Sequence, residues 1–360
     1  MPLLPPPPSF QTVAHRLPTW ATIEGLICPS KLSLEQCSSE ATAQYKAELT
    51  KRLFPAGGQC MADLTGGLGV DFSFLAPLFQ QAIYTEQRAE LCAAMRHNAP
   101  LLGLHHIEVK EGNGIETLQS LEKTDFIFMD PARRDTQGRK TVLIEDCEPD
   151  VVKLLPILKE KSRYTLLKLS PMLDITQAVR TLGCVSEVHI VGAGNECKEL
   201  LFLLNHIPQN TLQITCADGC HRFTFTAEDE TTATALLTAT PEAFLYEPTA
   251  TLMKGGAFKL LAERYGLKKL HANTHLYTSE TLRNDFPGRI FRVLRTSGFG
   301  KRALREFKGN LTQANLTVRN FPGSVAELRK RLKLKEGGQE YWFATTLADE
   351  SHVLIACEKV

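Results

Sequence analysis

The feature of this sequence that most constrains its fold is an alternation of apolar runs and helix-period segments through the middle of the chain. The apolar runs, each bounded by turn residues, cover 59–64, 82–85, 107–110, 125–129, 164–169, 187–191 and 200–204. Helix-period segments lie between the first five runs, notably at 88–98, 115–121 and 150–160. Strands separated by helical crossovers predict a parallel sheet with helices on both faces.

The last two apolar runs are joined differently. Only residues 192–199 separate them, which is too short for a helical crossover and favours an antiparallel hairpin. We therefore predict an α/β fold with a Rossmann-like, seven-stranded sheet, in which five parallel strands are followed by a reversed hairpin.

The regions before and after this alternating segment have different sequence patterns. Residues 33–53 predict a helix and its approach, with Ser39 suited to cap its start. Lys46, Lys51 and Arg52 lie toward its end, as the helix dipole favours. Short alternating runs at 212–216 and 222–226 predict an α+β C-terminal region. The predicted domains are a tail and helical segment (1–55), the α/β domain (56–206), an α+β domain with a ferredoxin-like fold as one option (207–290) and a basic domain (291–360).

Composition places the chain among ordinary globular proteins. It has 360 residues, 43% of them hydrophobic, which excludes the disordered and collagen-like classes. No apolar run is long enough to span a membrane, and the proline-rich start at residues 1–8 lacks the basic region of a secretory signal. We expect a cytoplasmic protein with a short polyproline-like tail; the sequence leaves the oligomeric state open.

The ten cysteines show no dense spacing pattern and favour free thiols over a disulfide framework. Cys216, Cys220 and His221 are the nearest approach to a metal signature. A zinc site needs four ligands, and no second Cys/His pair lies at a supporting distance. We expect a turn between two strands there, and no metal.

Charge is distributed unevenly along the chain. Residues 251–360 contain 20 Lys and Arg against 10 Asp and Glu, a net charge of +10, and residues 1–250 contain 21 against 30, a net charge of −9. The basic C-terminal part is therefore the candidate for contact with a polyanion.

The sharpest motif is the segment DLTGGLGVD at residues 63–71, directly after the first predicted strand. Glycines there allow a tight turn and a close approach of the backbone to a ligand. A dinucleotide fingerprint starting at Gly67 and Gly69 would need a third glycine where Phe72 stands, which disfavours a pyrophosphate. A sulfonium nucleoside with an amino acid tail instead needs an acid such as Asp63 near its ammonium group.

Polar residues follow the second and third strands. Glu86 and Gln87 end the second strand, about twenty residues beyond the glycine turn, where an acid can accept both hydroxyls of a ribose. Asn113 follows the third strand. It can hydrogen-bond an adenine edge or cap a helix, and the sequence leaves both interpretations open.

The fourth strand runs into Asp130 and Pro131. Proline at a strand end fixes the backbone and frees the preceding carbonyl group from the ladder, so a carboxylate and a carbonyl can both face a ligand. We expect the reacting atom of a substrate to lie here. Lys168 and Ser170, which end the fifth strand, are placed to reach the same crevice.

These residues resemble a known family. The glycine segment, Glu86 and Asp130-Pro131 are similar to the sequential motifs of class I S-adenosylmethionine-dependent methyltransferases, over roughly residues 56–206. The whole chain resembles bacterial proteins that join this domain to a THUMP-like C-terminal domain. That likeness rests on SSE (38–40) with YKA (45–47), DPARR (130–134), KLSPM (168–172), YEP (246–248), RNFP (319–322) and FATT (343–346).

The resemblance implies roles for these positions. The glycines would line the methionine part of S-adenosylmethionine, Glu86 the ribose and Asn113 the adenine, with Asp130 and the Pro131 carbonyl facing the methyl acceptor. The predicted catalytic residues are Asp130, Pro131 and Arg133. The predicted cofactor-binding residues are Asp63, Thr65, Gly66, Gly67, Gly69, Asp71, Glu86, Gln87, Asn113 and Asp130.

The sequence departs from the family pattern after Pro131. Methylases of exocyclic base nitrogens usually carry Asp-Pro-Pro and an aromatic residue, whereas Ala132 and Arg133 follow here. Arg133 can stack on a base or bind its phosphate, and pairing with nearby acids such as Glu145 remains open for Arg133 and Arg134. Methylation of a pyrimidine carbon usually needs a cysteine nucleophile, and none adjoins Asp130 in the sequence.

The basic region, residues 289–335, supplies the expected partner. THUMP domains bind RNA, and cationic side chains with interleaved aromatics suit phosphates and unpaired bases. The cations are Arg289, Arg292, Arg295, Lys301, Arg302, Arg305, Lys308, Arg329, Lys330, Arg331, Lys333 and Lys335, and the aromatics are Phe291, Phe299, Phe307 and Phe321. We predict an S-adenosylmethionine-dependent methyltransferase acting on an RNA base nitrogen by direct in-line transfer. A methyltransferase of proteins or small molecules and a catalytically silent RNA-binding protein remain alternatives.

Overall fold

The computed structural model describes residues 14–133, 143–207 and 211–360. The predicted polyproline-like tail and Arg134 lie outside these residues. The chain divides into two compact units, one formed by Met1–Val188 with Glu199–Leu212 and the other by His189–Lys198 with Gln213–Val360. The four-part division predicted from the sequence remains a prediction.

The first unit is built around the predicted sheet. Its strands are β1 (Gly58–Asp63), β2 (Phe79–Glu86), β3 (Ile107–Glu111), β4 (Thr124–Met129), β5 (Ala132–Arg133), β6 (Cys147–Glu148), β7 (Ser162–Leu169), β8 (Val185–Ala193) and β9 (Glu196–Asn205). The main strand order is β8-β9-β7-β4-β1-β2-β3, with β5 and β6 paired separately. Strands β3, β2, β1, β4 and β7 are parallel, and β9 runs antiparallel to β7. The predicted parallel sheet and reversed hairpin are confirmed, but the sheet has nine strands instead of the predicted seven, because a second hairpin, at residues 213–226, extends it beyond β8.

Five of the eight helices of this unit begin where a side chain accepts from a free backbone N–H group. The eight helices are α1 (Pro18–Thr22), α2 (Lys31–Gln36), α3 (Glu40–Leu53), α4 (Val70–Leu75), α5 (Ala89–Leu101), α6 (Gly114–Ser120), α7 (Val151–Lys161) and α8 (Ile175–Leu182). Ser39 caps α3 by accepting from the Thr42 amide, as expected, and Ser30 caps a separate helix, α2. The predicted segment 33–53 is therefore two helices with a break between them.

The N-terminal helices pack against the start of the sheet domain. Leu17, Trp20, Leu34 and Ala43 form one buried cluster with residues of the glycine segment and α4, including Leu68 and Val70. Because β1, β2, β4 and β7 are parallel, their carboxyl ends open on the same edge of the sheet. The N-terminal segment therefore belongs to the edge at which the predicted motifs meet.

The second unit contains a hairpin and a separate mixed sheet. Its elements are β10 (Gln213–Asp218), β11 (His221–Thr226), α9 (Ala227–Thr232), β12 (Phe244–Pro248), α10 (Ala250–Gly255), α11 (Phe258–Tyr265), β13 (Lys268–Lys269), β14 (Tyr277–Ser279), β15 (Gly288–Gly298), α12 (Lys301–Lys308), β16 (Asn315–Arg319), α13 (Val325–Leu332), β17 (Glu340–Thr346) and β18 (His352–Lys359). The order of the mixed sheet is β13-β14-β12-β15-β18-β17-β16.

Both faces of this mixed sheet are buried. On one face, Leu304 and Phe307 of α12 and Leu328 and Leu332 of α13 pack with Trp342 of β17. A second cluster contains neighbouring residues of the same strands, including Phe291, Phe343 and Ile355. Successive residues of a strand point to opposite faces, which explains why Trp342 and Phe343 belong to different clusters.

Among the described residues, no helix is long and apolar enough to cross a membrane.

The segment from Cys216 to His221 forms the end of β10, a turn and the start of β11, which confirms the predicted turn between two strands. A search of the described residues found no cluster of His, Cys, Asp and Glu that could hold a metal ion.

Candidate functional site

A cleft of about 730 Å³ opens at the carboxyl ends of the parallel strands of the first unit. All ten residues predicted to bind the cofactor line it. They are Asp63, Thr65, Gly66, Gly67, Gly69, Asp71, Glu86, Gln87, Asn113 and Asp130. The volume is within the range of small-molecule sites, about 300–1,000 Å³. One cavity therefore brings together motifs that are up to 67 residues apart in the sequence, from Asp63 to Asp130.

The glycine segment forms a tight turn between β1 and α4. A Cβ atom on Gly66 would lie 2.3 Å from the ring of Tyr84, which is fully buried. Gly69 has φ +84°, a conformation that side chains disfavour. The Gly66 amide donates to the Thr85 carbonyl at 2.8 Å, and the Tyr84 hydroxyl donates to the Gly67 carbonyl. The turn is thus held against β2 with its backbone facing the cleft.

The Glu86 carboxylate is oriented by backbone groups. Its Oε2 accepts from the Gly67 amide at 2.8 Å, and its Oε1 accepts from the Arg88 amide at 3.0 Å. Oε2 keeps one of its two lone-pair sites for another donor, and Oε1 is also contacted by Arg88 Nε at 3.4 Å, a long contact that a ligand hydroxyl could replace. Glu86 can therefore accept two neighbouring hydroxyl groups without changing its position.

Asp63 and Asp130, at the ends of β1 and β4, are connected through Thr65. Asp63 Oδ1 accepts from the Thr65 amide at 2.9 Å, and the Asp130 amide donates to Thr65 Oγ1 at 2.6 Å. Asp63 is only 1% exposed. Burial raises the pKa of its carboxyl group to about 8. At neutral pH Asp63 therefore carries a proton for most of the time unless a cation lies beside it.

An ion network continues inward from Asp130. It consists of Asp130, Lys168, Asp71, Lys46 and Glu199, and we call it the five-residue ion network. Lys168 Nζ lies 2.5 Å from Asp130 Oδ2 and 3.6 Å from Asp71 Oδ2. Lys46 Nζ lies 3.1 Å from Asp71 Oδ1 and 2.5 Å from Glu199 Oε1. The Ser38 hydroxyl also donates to Asp71 Oδ2 at 2.6 Å.

The network keeps Lys168 and Asp71 ionised, whereas burial raises the pKa of Glu199 above its ordinary value. Burial alone would lower the pKa of Lys168, but attraction by Asp130 and Asp71 outweighs burial and raises that pKa above its ordinary value. Burial works against ionisation of Asp71 too, and Lys46 and Lys168 overcome it and lower the Asp71 pKa. Lys168 is thus an ammonium donor and cannot serve as a base.

Lys46 differs from the sequence expectation. The position of Lys46 in the helical segment suggested a cation that complements the helix dipole near its end. Its side chain is instead fully buried and points to Asp71 and Glu199. The reason is that the face of α3 carrying Lys46 packs inward, and the charge is offset by two carboxylates that lie far away in the sequence.

The structure describes Asn113 and the predicted catalytic residues to different extents. Asn113 Oδ1 accepts from the Ile115 amide at 2.8 Å, so it caps α6 while lining the cleft. Pro131 is buried directly after Asp130. The backbone of Arg133 belongs to β5, which pairs with β6. The prediction for the Arg133 side chain lies outside what the structure describes.

Sequence reasoning missed two walls of the cleft. Ser33, Gln36, Cys37 and Ser38 form one wall, and residues 148–150 with Lys153 and Leu154 form another. Cys37 Sγ donates to the Leu34 carbonyl at 3.1 Å, and burial raises the pKa of its thiol to about 11. It therefore remains a thiol at neutral pH. Neither wall follows a strand in the sheet, so strand-end reasoning carried no signal for it.

The basic region of the second unit is only partly available to a partner. Arg289 Nε donates to Glu247 at 2.7 Å, Arg295 pairs with Glu340 at 2.8 Å, and Arg292 lies 3.3 Å from Glu358. These three cations are therefore offset by acids on other strands of the same sheet.

The exposed cations lie on and beside α12 and α13. We call this set the α12–α13 cation surface; its members are Lys301, Arg302, Arg305, Lys330, Arg331, Lys333 and Lys335, whereas Lys308 is half-buried. Arg302 also pairs with Glu306 of its own helix at 2.8 Å, at the protein surface. The Arg331 guanidinium donates to the Phe299 carbonyl at 3.0 Å, which ties α13 to the segment that leads into α12. The cations from two stretches of sequence thus share one side of the mixed sheet.

The prediction that four aromatic side chains are available to stack on bases is wrong for two of them. Phe291 and Phe307 are buried in the core, at 0% and 6% exposure, because strand and helix periodicity points them inward. Phe299 and Phe321 are partly exposed, and their ring centroids lie 4.5 Å apart. Only this pair remains available to a flat ligand.

Comparison with known proteins agrees with this architecture. A profile described as a ferredoxin-like domain matches residues 244–287, and one described as THUMP domain-like matches residues 288–359. The crystal structure of a "putative methyltransferase" from Porphyromonas gingivalis W83 is 38% identical, with a TM-score of 0.86, over 98% of this chain and 88% of that one.

Two further solved structures are distant. A "putative RNA methyltransferase" from Pyrococcus horikoshii is 15% identical, with a TM-score of 0.36 over 51% of this chain and 93% of that one. A ribosomal protein L11 methylase from Lactobacillus delbrueckii subsp. bulgaricus is 15% identical, with a TM-score of 0.34 over 46% and 78%. These scores are too low to carry an argument. A search of curated proteins found no match.

The Porphyromonas relative aligns with nearly the whole chain at 38% identity, and its TM-score of 0.86 shows that the two chains share this fold. The C-terminal profile match adds the second half of the architecture. This chain therefore belongs to the family of class I methyltransferases that carry a THUMP-like C-terminal domain.

Proposed function

We propose that this protein transfers the methyl group of S-adenosylmethionine to a base nitrogen of RNA. The observation that carries the proposal is the convergence of the glycine turn, Glu86 and Asp130 on one cleft. Each of the three follows a different parallel strand, and an open α/β sheet binds its ligands at this edge.

The cleft fits this cofactor residue by residue. A nucleoside ribose presents two adjacent hydroxyl groups. The Glu86 carboxylate is held by two amides, with a spare lone pair on Oε2 and the long, replaceable Arg88 Nε contact on Oε1. The glycine turn leaves room where a Cβ atom would collide with Tyr84, so a ligand can approach the backbone closely. Asp63 and Thr65 would hold the amino acid part, and Asn113 would lie beside the adenine.

The ammonium group of the cofactor would complete the environment of Asp63. A buried carboxyl group with a raised pKa is poised to lose its proton when a cation arrives. Binding of an ammonium group would therefore convert Asp63 from a neutral acid to a partnered carboxylate. We assign Asp63 to the amino acid end of the ligand on this ground.

When bound, the cofactor supplies a methyl group already activated by a positively charged sulfur. The acceptor nitrogen forms the new N–C bond as the C–S bond breaks, sulfur keeps that electron pair, and the surplus proton leaves nitrogen for Asp130 or water. Asp130 accepts an N–H of the acceptor and holds the nitrogen lone pair toward the methyl group. The protein's contribution is alignment and exclusion of water.

The described cleft offers no obvious route to carbon methylation. Cys37 lines the cleft, but burial raises the pKa of its thiol to about 11, so the nucleophilic thiolate is scarce at neutral pH. A nitrogen acceptor needs no covalent intermediate with the enzyme. This supports the choice of nitrogen over a pyrimidine carbon.

RNA as the substrate is supported by the second unit. The α12–α13 cation surface presents exposed Lys and Arg side chains on a domain whose profile is THUMP domain-like. Phosphate binding needs such charge, and Phe299 with Phe321 can stack on unpaired bases. Arg289 and Arg295 are excluded from this role because Glu247 and Glu340 already engage them.

The test is to determine which class of molecule receives the methyl group. The protein is incubated with methyl-labelled S-adenosylmethionine and either RNA or protein extract from cells that lack this gene, and each fraction is counted. We expect label in RNA and its loss after nuclease digestion. Label in protein or in small molecules, or in no fraction despite cofactor binding, would contradict the proposal.

A further inference from the structure

Lys168 lies beside Asp130 at the acceptor end of the cleft. In the sheet, Met129 of β4 pairs with Leu167 of β7, so the next residues of the two strands, Asp130 and Lys168, stand side by side. Lys168 Nζ is 2.5 Å from Asp130 Oδ2, and both residues line the cleft. A fixed proton donor and a fixed proton acceptor therefore face the same space.

The rest of the five-residue ion network fixes the position of Lys168. A lysine side chain is flexible and normally loses considerable rotamer freedom when it is held in place. Here Asp71 Oδ2 lies 3.6 Å from Nζ as a second partner besides Asp130, and Asp71 is itself fixed by Lys46 and Ser38. Lys46 in turn pairs with Glu199. The donor is thus positioned before any ligand arrives.

The charge balance leaves the pair open to a ligand. The network contains three acidic and two basic side chains, and Asp130, with a side chain 39% exposed, is its most exposed member. Lys168 is 14% exposed and can turn one of its three N–H groups toward the cleft. Asp130 retains unused lone pairs. The pair therefore suits a group that offers one N–H donor and, next to it, one lone-pair acceptor.

We propose that Lys168 and Asp130 together read the acceptor base, with Asp130 accepting the N–H of the nitrogen to be methylated and Lys168 donating to the lone pair beside it. This inference rests on the proposed function and narrows its substrate class. A donor next to an acceptor occurs on the Watson–Crick edges of bases, as in the amino group and adjacent ring nitrogen of adenine or cytosine. Guanine N7, the ribose 2′-hydroxyl and pyrimidine C5 do not present this pattern.

Lys168 also has two other conceivable roles, and each predicts a different result. A lysine in this cleft can bind the carboxylate of the cofactor, in which case its removal weakens cofactor affinity. It can also serve only to offset the charge of Asp130 and Asp71, in which case its removal disturbs activity without regard to the atoms of the base. If Lys168 instead recognises the acceptor base, its removal slows methyl transfer by an amount that depends on one ring atom of the substrate.

The experiment combines a protein change with a substrate change. The labelled nucleotide is first identified by nuclease digestion of methylated RNA, and a short RNA is then made with carbon in place of the ring atom beside the acceptor nitrogen. Single-turnover methyl transfer and cofactor affinity are measured for wild type, Lys168→Met, Lys168→Arg and the exposed control Lys31→Met. Lys31 Nζ lies 3.7 Å from Glu35 Oε1 of its own helix, and its side chain is 80% exposed.

We expect Lys168→Met to bind S-adenosylmethionine within about twofold of wild type and to transfer methyl about 100-fold more slowly, as when a positioned polar contact is lost. The substituted RNA should slow wild type similarly but cause little further loss in Lys168→Met. Lys168→Arg keeps the charge and should recover part of the rate, which also serves if Lys168→Met fails to fold. Lys31→Met should match wild type.

Three results would overturn the inference. A tenfold or greater loss of cofactor affinity in both Lys168 variants would assign Lys168 to the cofactor. Equal slowing by the substituted RNA in wild type and in the Lys168 variants would reduce Lys168 to a charge-balancing role. A methyl group found on guanine N7, a 2′-hydroxyl or a carbon would exclude acceptor reading while leaving RNA methylation intact. Wild type that never methylates RNA would instead refute the proposed function, and the inference with it.

Discussion

At the scale of single residues, the decisive property of the cleft is how its charges are compensated. The Asp63 carboxyl group is buried without a neighbouring cation, whereas the Asp71 carboxyl group is buried beside two cations. The two acids lie eight positions apart on the same turn, yet their pKa values move in opposite directions. Environment therefore separates a carboxyl group that is ready for a ligand from one that supports the structure.

Asp63 gives a prediction with a definite sign. Its pKa is about 8 when folded and 3.8 as an ordinary carboxyl group, so the folded state holds an extra proton between these values. Stability of the cofactor-free protein should then fall as pH rises from about 4 to 8. Asp63→Asn removes this loss and should be more stable than wild type at pH 8, by on the order of a few kcal/mol, with a smaller gain at pH 5.

The measurement is urea unfolding of wild type and Asp63→Asn at both pH values. The same variant should bind S-adenosylmethionine more weakly, because an amide cannot offset an ammonium group. A stability gain that does not change between pH 5 and pH 8 would show that the Asp63 carboxyl group is not the source.

Lys46 gives a second prediction at this scale. Lys46→Met would leave Asp71 and Glu199 buried without their shared cation, which typically costs about 3–5 kcal/mol. Lys51→Met, on the exposed side of the same helix, should change stability by less than about 0.5 kcal/mol. Denaturant unfolding compares the two variants, and equal effects would mean that the ion network contributes no more than a surface charge.

The sequence identified the cleft residues that directly follow a strand, but not the residues that tertiary packing places beside them. Asp63, Glu86 and Asp130 were found because strand ends meet at one edge of a parallel sheet. Lys46 was assigned to a helix end because nothing in the sequence signals that Glu199 lies beside it. Phe291 and Phe307 show the same limit, since an aromatic between cations is compatible with both a core and a binding surface.

At the scale of elements, the glycine turn depends on space that a side chain would fill. Gly66→Ala would place a methyl group 2.3 Å from the buried Tyr84 ring. We expect a loss of about 1–3 kcal/mol of stability from this overpacking and at least a tenfold loss of cofactor affinity as the turn moves. Gly298→Ala is the matched control, because its Cβ atom would meet nothing within 4 Å.

Thermal unfolding and calorimetric titration read out both effects. If Gly66→Ala keeps wild-type affinity for S-adenosylmethionine, the turn does not contact the ligand in the way we propose. A large effect of Gly298→Ala would indicate that the comparison reports on alanine itself and not on the space around the turn.

The α12–α13 cation surface supports a prediction about salt. Replacing Lys301 and Arg305 by Glu should weaken RNA binding and make its dependence on salt less steep, since fewer counterions are released. Lys123→Glu with Lys159→Glu, two exposed changes on the other unit, is the charge-matched control. Filter binding of RNA at several salt concentrations measures the slope, and equal slopes for the two double variants would exclude the surface.

Strands and their order were the most predictable elements, because period-2 runs and crossover lengths leave few topologies. The break between α2 and α3 was not predicted, since Ser39 was recognised as a cap but the helix before it was read as its approach. The walls of the cleft at 33–38 and 148–154 were missed for the same reason: they are brought to the site by packing of neighbouring segments, which local periodicity does not record.

At the scale of the whole molecule, the near-neutral chain hides two parts of opposite charge. The first 250 residues carry a net −9 and the last 110 a net +10. An acidic catalytic part would not attract RNA by itself, so under the proposed function the basic part of the chain would supply that affinity. This division of roles would account for motifs of chemistry and of binding in separate parts of the sequence.

The central claim is that one nucleoside lies between the glycine turn and Glu86 with its methyl group directed at Asp130. Calorimetric titration with S-adenosylmethionine, followed by transfer assays, tests it on Glu86→Ala, Asp130→Ala and the exposed control Glu122→Ala. We predict at least tenfold weaker binding for Glu86→Ala, near wild-type binding without methyl transfer for Asp130→Ala, and no change for Glu122→Ala. Unaltered binding by Glu86→Ala, or transfer by Asp130→Ala at the wild-type rate, would contradict the account.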